Sequence, residues 1–350
     1  MRIRAVEYQD HVFGFKDGDY VMSYVTQTEL PIRVLRLEAE DGTVGWGEIV
    51  RKPTIDPSTV DHRERAVLDS LSGKPIFEID AELAELRATF ELRGLAFGLE
   101  TAYLDWLARR AVVPLYGLLG GRKVDTVSEY YSLSCGGAEG LDETVKSNAR
   151  GWAVVQIKLG VGGPDVDRLR LRALAASLSA EQLILADFNG ALTPDQAVEF
   201  IAGFDDSRII WEEPCDTVEA NTEVAKRSNA RVMFDQCLSS LDKFFDVITE
   251  RAAHSLVLKP AFLGGLSNAR VARDWCVAAG LPIRVDGPWC GHVATAAALH
   301  LAVGVPESLL IGGCDLRQPL RLNEDWGGTV HLDGHRIAPS DDPGHGAAPH

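Results

Sequence analysis

Three short apolar runs in this sequence end in an acidic residue. They are "LILAD", "RIIWE" and "RVMFD", which end at Asp187, Glu212 and Asp235. A carboxylate at the end of a buried strand commonly caps the helix that follows. Other residues are predicted to be the caps here: Thr193 of "TPDQ", Asp216 of "DTVE" and Ser239 of "SSLD". The three acids are therefore available for different chemistry.

Three carboxylates held within a few ångströms repel one another, and at least one takes up a proton unless a cation balances them. A set of ligands made only of oxygen favours Mg²⁺, with Mn²⁺ as an alternative, over zinc. We therefore predict that Asp187, Glu212 and Asp235 bind one divalent metal ion.

Two lysines end similar runs on either side of these acids, Lys158 in "VVQIK" and Lys259 in "SLVLK". One such lysine alone is typical of a solvated surface group, but two that flank a metal site favour a chemical role. Partial burial and a nearby dication both favour the neutral form of lysine, which can act as a base.

These groups together predict abstraction of an α-proton from a carboxylate substrate. A metal ion bound to the substrate carboxylate would stabilise the enediolate that forms. A base on each face would allow racemisation or epimerisation, and a leaving group on the β-carbon would allow dehydration.

The elements that position these residues begin near residue 126, where short β-branched runs alternate with helical runs. The strand-end residues recur about 25 residues apart, close to one strand-helix unit of a (β/α)8 barrel of roughly 250 residues. Eight strands are predicted: "VSEYYSLS", "AVVQIKLG", "LILADFN", "RIIWEEP", "RVMFDQ", "SLVLKP", "LPIRVDG" and "SLLIGGCD". In such a barrel the strand ends converge on one mouth, with the second and sixth strands opposite each other. An open doubly wound sheet is the alternative, but no glycine-rich phosphate loop follows the first strand.

The flanking regions differ in pattern from the barrel. Residues 1–125 are predicted to form an α+β capping domain, with a hairpin around Asp41-Gly42 and a long helical run stopped by Gly120 and Gly121. The barrel is assigned to 126–315, and 316–350 is expected to return to the cap. The tail from about residue 339 is predicted to be loosely ordered.

Composition excludes several classes of protein. The 350 residues carry a formal net charge of −16, which argues against nucleic acid and anionic membranes as partners. The six cysteines form no C-x-x-C pair, so neither a zinc site nor a disulfide framework is predicted. No signal peptide or membrane-spanning run is evident, and a cytoplasmic location is expected.

The motifs together resemble the enolase superfamily, in particular members like mandelate racemase and muconate lactonizing enzyme. The resemblance rests on the cap hairpin, "ETAYLDWLARRAVVPLYGLLGG", the D-x-N of Asp187 and Asn189, "WEEP", "FDQ" and "LKPAFLGGL". It implies a modified (β/α)8 TIM barrel with an N-terminal α+β capping domain, and a homo-oligomer. It also implies that Glu212 rather than Glu213 is the metal ligand.

Three departures from the family pattern narrow the choice. The K-x-K of the second strand reads Gln156-Ile157-Lys158, so Gln156 is left to hydrogen-bond the substrate carboxylate. The seventh strand has no histidine, so Lys259 replaces a histidine base. The D-x-D of dipeptide epimerases reads Asp315-Leu316-Arg317, which counts against that activity.

The segment "VDGPWCGHVATAAALHLA" is similar to enzymes acting on proline derivatives, the hydroxyproline-betaine epimerases and cis-3-hydroxyproline dehydratases. The resemblance implies that Trp289 faces a cationic substrate nitrogen, although a packed rim aromatic is the alternative. Asp286 could pair with the same nitrogen. Cap loops around 15–24 and 51–55 are expected to close the mouth.

The leading hypothesis is a Mg²⁺-dependent dehydratase or epimerase acting on a proline-type amino acid. Another amino-acid racemase, or an acid-sugar dehydratase, is an alternative within the superfamily. An alternative from another class is a catalytically silent barrel that serves as a binding or scaffold protein, motivated by the lysine lost at position 156.

Overall fold

The computed structural model describes residues 1–135, 148–149, 151–313, 317–322 and 324–349. It contains a strand-rich N-terminal domain, the cap, and a parallel barrel. The strands are β1 Ile3–Phe15, β2 Tyr20–Val21, β3 Thr26–Gln27, β4 Glu29–Ala39, β5 Val44–Ile49, β6 Val127–Ser128, β7 Tyr130–Leu133, β8 Val154–Lys158, β9 Leu183–Asp187, β10 Ile209–Glu212, β11 Val232–Phe234, β12 Ser255–Leu258, β13 Ile283–Val285, β14 Leu310–Gly313, β15 Leu320–Arg321, β16 Thr329–Leu332 and β17 Arg336–Pro339. The α-helices are α1 Pro57–Ser70, α2 Ile79–Ala88, α3 Arg93–Ala111, α4 Leu115–Leu118, α5 Pro164–Ser177, α6 Pro194–Ile201, α7 Val218–Ser228, α8 Leu241–Glu250, α9 Leu266–Ala279 and α10 His292–Ala302.

The cap is an antiparallel sheet in the order β15-β1-β4-β5, packed on helix α3. The predicted hairpin joins β4 to β5, and Asp41 accepts a hydrogen bond from the backbone of Thr43 at 3.1 Å. Helix and sheet lie very close, since a Cβ added to Gly47 would lie 2.0 Å from the Gly98 carbonyl oxygen. Strand β15 brings the C-terminal segment back to this sheet.

The long helical run predicted for the cap is interrupted. Helix α2 ends before Thr89, whose backbone is extended, and a 3₁₀ turn over Phe90–Leu92 leads into α3. Helix α3 ends at Ala111 with Val112 in the left-handed conformation, so Gly120 and Gly121 stop only the short α4.

The barrel prediction is confirmed. The eight predicted strands form one sheet in the order β14-β13-β12-β11-β10-β9-β8-β7, with parallel neighbours throughout. Each strand from β8 to β13 is followed by one of the helices α5 to α10. The lower barrel is filled by apolar side chains, among them Leu185, Ile210, Met233 and Val257. The strand ends are therefore left to carry polar groups.

The helix caps were predicted correctly at one of three places. Thr193 forms a capping box with Gln196, but the other caps are Thr217 and Ser240, each one residue later than expected. Those two residues have the extended backbone that immediately precedes a helix, and their hydroxyls accept the first free N–H groups. None of the strand-end acids caps a helix.

The prediction of a loosely ordered tail is wrong. His345 is fully buried, its backbone N–H donates to Asp105 at 2.8 Å, and its ring Nε2 lies 2.9 Å from the Trp46 carbonyl oxygen. Gly344 makes this approach possible, because it has φ of +85° and an added Cβ would lie 2.0 Å from Asp105 Oδ1. Small residues in the tail thus serve close packing rather than disorder.

Two further expectations concern cysteines and membranes. The five cysteines within the described ranges are all free and buried. Among the helices described, none is both long enough and apolar enough to cross a bilayer.

Candidate active site

The predicted site residues meet at the carboxyl ends of the barrel strands. The β-sheet register pairs Lys158 with Asp187 and Asp187 with Glu212. A cavity at this end is lined by eight of the residues named from the sequence: Gln156, Lys158, Asn189, Glu212, Asp235, Lys259, Asp286 and Trp289. Asp187 lies directly beside it and is fully buried. Lys158 and Lys259 enter from β8 and from the end of β12, four strands apart.

Each of the three acids forms an ion pair with a different cation. Lys158 donates to Asp187. Lys259 Nζ lies 2.7 and 2.8 Å from the two carboxylate oxygens of Asp235. Glu212 receives two hydrogen bonds from the guanidinium group of Arg284. The negative charge predicted for the mouth of the barrel is thus balanced within the chain.

The electrostatics of the site reflect burial and these pairs. Burial and the Glu212 carboxylate raise the pKa of Asp187 to about 6. Burial lowers the pKa of Lys158 and Lys259, but the Asp187 and Asp235 carboxylates more than reverse this, so both pKa values are raised. In the chain by itself the lysines are therefore protonated, contrary to the expectation from burial alone.

Arg284 is a site residue that the sequence analysis missed. It is 1% exposed, and its Nη1 and Nη2 lie 3.0 and 2.5 Å from the two oxygens of Glu212. Its Nε lies 3.0 Å from Asp286, and its guanidinium carbon lies 5.1 Å from the centre of the Tyr130 ring. The available signal was an arginine between the apolar residues of "PIRV", a pattern that places a charge inside a buried strand.

Asp286 therefore already has an ion-pair partner, Arg284, within the chain. Besides Arg284, the Tyr130 hydroxyl donates to it at 3.2 Å. Burial raises the pKa of Asp286, opposed by the charges of Arg284 and Lys259. The carboxylate lines the cavity, but much of its charge is balanced before any substrate enters.

Gln156 and Asn189 surround the acids with amide groups. Gln156 Nε2 donates to Glu212 at 2.8 Å and to Asp187 at 3.2 Å. Asn189, with φ of +47°, donates its side-chain N–H to Asp187 at 3.0 Å. The buried Oδ1 of Asn189 has no hydrogen-bond partner in the described part of the chain.

Trp289 is only 6% exposed and packs between two tyrosines. Its ring is stacked on Tyr130 at 6.3 Å and meets Tyr20 edge-on at 5.3 Å. It nevertheless lines the cavity. The structure thus shows the packed aromatic of the alternative interpretation, with part of the indole available to a ligand.

Glu213, set aside above as a metal ligand, has a structural role that the sequence did not indicate. It is buried with φ of +40°, and its carboxylate accepts the backbone N–H groups of Asp235 and Cys237, both at 2.6 Å. Burial raises its pKa to about 8. Glu213 therefore fixes the turn that carries Asp235, a role that no sequence motif reveals.

Both predicted cap loops reach the mouth of the barrel. Met22, Tyr24 and Pro53 line the cavity. The first loop is fastened to the barrel by Ser23, which donates to the Phe188 carbonyl at 2.9 Å. Asp315 and Leu316, used above to argue against dipeptide epimerases, lie outside the described residues, whereas Arg317 contacts His292 at 2.7 Å.

The donor set fits a hard divalent cation in its chemistry. Three carboxylates stand on successive strands, and the unpartnered amide oxygen of Asn189 adds a fourth oxygen beside them. With the acids held in their ion pairs, however, no three His, Cys, Asp or Glu side chains in the described ranges are grouped to bind an ion. An ion at this place would therefore have to displace cationic partners.

Comparison with known proteins assigns this architecture to a family. Residues 13–120 match the family model for the N-terminal domain of mandelate racemase / muconate lactonizing enzyme, and residues 141–350 match the enolase C-terminal domain-like model. The chain belongs to this family of the enolase superfamily.

Individual relatives agree over the whole length. The chain is 26% identical over 356 residues to cis-3-hydroxy-L-proline dehydratase of Roseibium aggregatum, covering 100% of this chain and 96% of the relative. A mandelate racemase/muconate lactonizing enzyme structure from Roseovarius nubinhibens ISM matches with a TM-score of 0.89 and 26% identity over 99% of this chain and 95% of that one. Another structure from that organism, complexed with magnesium, matches with a TM-score of 0.89 and 23% identity over 99% and 96%.

Other relatives are epimerases, racemases and cycloisomerases. The protein is therefore an enzyme of the lyase or isomerase type, from the dehydratase and epimerase group of the enolase superfamily.

Proposed function

We propose that this enzyme removes the α-proton of a proline-type amino acid and either eliminates water from it or epimerises it. The observation that carries the proposal is the placement of Lys158 and Lys259 on opposite sides of one cavity, with the three strand-end acids between them. The likeness to a cis-3-hydroxy-L-proline dehydratase over the full length supports the substrate class.

Asp187, Glu212 and Asp235 would hold Mg²⁺, or Mn²⁺ in its place. When bound, the ion would supply positive charge to the substrate carboxylate and loosen the hold of the acids on the two lysines. The similar structure complexed with magnesium supports this assignment. Lys158 and Lys259 would then act as the bases on the two faces of the α-carbon.

Other cavity residues would orient the substrate. The Trp289 face and the Asp286 carboxylate stand where a cationic ring nitrogen would be attracted. Met22, Tyr24 and Pro53 from the cap loops would exclude water from the reacting atoms. Because Arg284 already balances Asp286, we expect Trp289 to contribute more to binding than Asp286.

The proposal is tested by exchange of the substrate α-hydrogen in D₂O, with cis-3-hydroxyproline, proline betaine and 4-hydroxyproline betaine as substrates. Loss of a general base typically costs 10²- to 10⁴-fold, roughly, in rate. In an epimerase, Lys158→Ala and Lys259→Ala should each slow exchange by a factor of this order, whereas in a dehydratase only one of the two variants should do so. Lys226→Ala is the matched control, since Lys226 is exposed on α7 and does not line the cavity, and should retain full exchange.

Three outcomes decide between the alternatives. Loss in both lysine variants, with optical rotation changing over time, indicates epimerisation. Loss in one variant alone, with ketimine formation, indicates dehydration. Tight binding of a metal ion without exchange in any carboxylate ligand would instead favour a catalytically silent barrel.

Metal removal provides an independent check. Exhaustive treatment with EDTA should abolish exchange, and MgCl₂ or MnCl₂ should restore it. Full activity after chelation would exclude the proposed role of the three acids. Homo-oligomerisation stays a prediction, for which light scattering of the purified chain is the measurement.

A further inference from the structure

A buried chain of hydrogen bonds runs from the cap to the strand-end acids. Tyr20, on strand β2 of the first cap loop, has its hydroxyl 2.5 Å from Ser132 Oγ on β7. Ser132 Oγ lies 2.7 Å from Gln156 Oε1 on β8, and Gln156 Nε2 donates to Glu212 at 2.8 Å and Asp187 at 3.2 Å. Tyr20, Ser132 and Gln156 are 4%, 7% and 2% exposed, so water does not compete for these bonds.

The donor and acceptor of every hydrogen bond in this series follow from the chemistry of the groups. Two carboxylates can only accept hydrogen bonds when ionised, so the NH₂ end of Gln156 must face them and its carbonyl must face Ser132. A carbonyl oxygen only accepts, so the Ser132 hydroxyl donates to Gln156. The Ser132 oxygen is then free to accept, and Tyr20 is its donor. A reversed amide would place the Gln156 oxygen against two acids.

We infer that Gln156 is a positioning residue for Asp187 and Glu212, and that Tyr20 sets its orientation from the cap by way of Ser132. The inference rests on the proposed function in that the two acids are taken as metal ligands. The Gln156 amide donates a hydrogen bond to each of these acids, so it holds the two carboxylates side by side. The Tyr20 hydroxyl on the cap loop, rather than docking of the loop in general, thereby becomes a condition for a well-ordered acid pair.

The same loop offers a comparison that separates this role from simple loop docking. Ser23 also fastens the loop to the barrel, through the Phe188 carbonyl, but it has no bond to Ser132 or Gln156. Tyr20 packs on Phe15 at 5.6 Å and on Trp289 at 5.3 Å, and a phenylalanine would keep these ring contacts. Tyr20→Phe therefore removes the hydroxyl alone.

The test measures binding of Mn²⁺, added as MnCl₂ and followed by electron paramagnetic resonance of the free ion, in full-length protein. Ser132→Ala should raise the dissociation constant about 10-fold, the usual lower effect of losing an outer partner of metal ligands. Ser132→Thr keeps the hydroxyl and should restore affinity. Tyr20→Phe should raise the dissociation constant for Mn²⁺ by a smaller factor. The Tyr20→Phe/Ser132→Ala double variant should have the same dissociation constant as Ser132→Ala alone, because both substitutions act through the same series of hydrogen bonds.

Ser23→Ala should leave the constant unchanged. Additive effects in the double variant, an equal loss in Ser23→Ala, or an unchanged constant in Ser132→Ala would each overturn the inference. Thermal unfolding of every variant identifies any that fails to fold.

Failure of the proposed function is distinguishable from failure of this inference. If the unaltered chain does not bind Mn²⁺, the metal assignment falls, and a crystal structure of Ser132→Ala decides the positioning role. A Gln156 amide that rotates away from Asp187 and Glu212 in that structure supports the inference. An amide that keeps both bonds contradicts it.

Discussion

Arg284 is the residue whose removal most directly probes the charge balance of the site. It is buried and pairs with both Glu212 and Asp286, so its loss leaves two acids in the barrel with less compensating charge. Breaking a buried ion pair from one side costs about 3–5 kcal/mol. We expect Arg284→Met to lose stability of this order without added metal ion, and to recover part of it in MnCl₂, which would neutralise Glu212.

Urea unfolding with and without MnCl₂ measures this difference. The control is Arg273→Met, because Arg273 is 3% exposed but bonds backbone oxygens and Asp274 rather than the site acids. Its loss of stability should not depend on the ion. An Arg284→Met variant that is equally unstable with and without Mn²⁺ would show that Glu212 does not bind metal.

Glu213 acts on its neighbour Asp235 through the backbone. A glutamine at this position can accept only one of the two N–H groups that now point to the carboxylate, so the turn that carries Asp235 loses a bond. We expect Glu213→Gln to weaken Mn²⁺ binding about 10-fold, measured by isothermal titration calorimetry. Glu223→Gln, a change at an exposed residue on α7 that pairs with Arg227, should not alter binding.

At the scale of elements, Glu48 joins the cap to the last barrel helix. It is fully buried on β5, and it accepts the backbone N–H groups of Gly291 and Ala294 at 2.5 and 3.1 Å. These belong to the first turn of α10, whose own cap residue is a glycine without a side chain. An acid from one domain thus caps a helix in the other, directly after the segment that carries Trp289.

The pH dependence of stability follows from this burial. Burial raises the pKa of Glu48 from 4.5 to about 7, against lowering by the backbone N–H groups and by Arg317. The buried Cys290 thiol is also close enough for the Glu48 charge to raise its pKa. The folded chain therefore binds this proton more tightly than the unfolded chain, so the contribution is full below pH 4.5 and is lost as pH rises towards 7.

Glu48→Gln should remove this loss. Relative to the unaltered chain, the variant should gain about 3 kcal/mol in unfolding free energy between pH 4.5 and 7, as an upper limit. Denaturant unfolding across this range is the measurement. Glu29→Gln, an exposed change on β4, should leave the slope unaltered, and an equal slope in both variants would contradict the assignment.

At the scale of the whole molecule, the C-terminal residues connect to the cap. The backbone of Leu115 donates to the Gly344 carbonyl at 2.7 Å, and the buried Asp105 accepts from the His345 backbone. Removing residues 343–350 would remove both hydrogen bonds, at about 0.5–1.5 kcal/mol for each, and would also remove the buried side chains of His345 and Ala347. We expect a clearly lower thermal midpoint by calorimetry. Pro343→Ala, a change at an exposed residue of the same segment, is the control and should leave the midpoint nearly unchanged.

The sequence by itself determined the barrel, its strand order and the acids at its mouth. These features are local or periodic, because a buried strand with an acid at its end is visible in five or six consecutive residues. The repeat length then fixes which strands are neighbours. Lys158 and Lys259 were located by the same reasoning, since equivalent strand ends must share one mouth.

Only the tertiary structure decided which groups face one another across that mouth. Arg284 reaches Glu212 from a strand that is not its neighbour, Tyr20 arrives from the cap, and the tail is buried by contacts with Asp105. The stagger of the strands and the direction of each side chain determine which groups become partners. Neither property produces a periodic pattern in the sequence. The chemistry of the acids could therefore be predicted from the sequence, whereas the cations and amides that bind them were identified only from the tertiary structure.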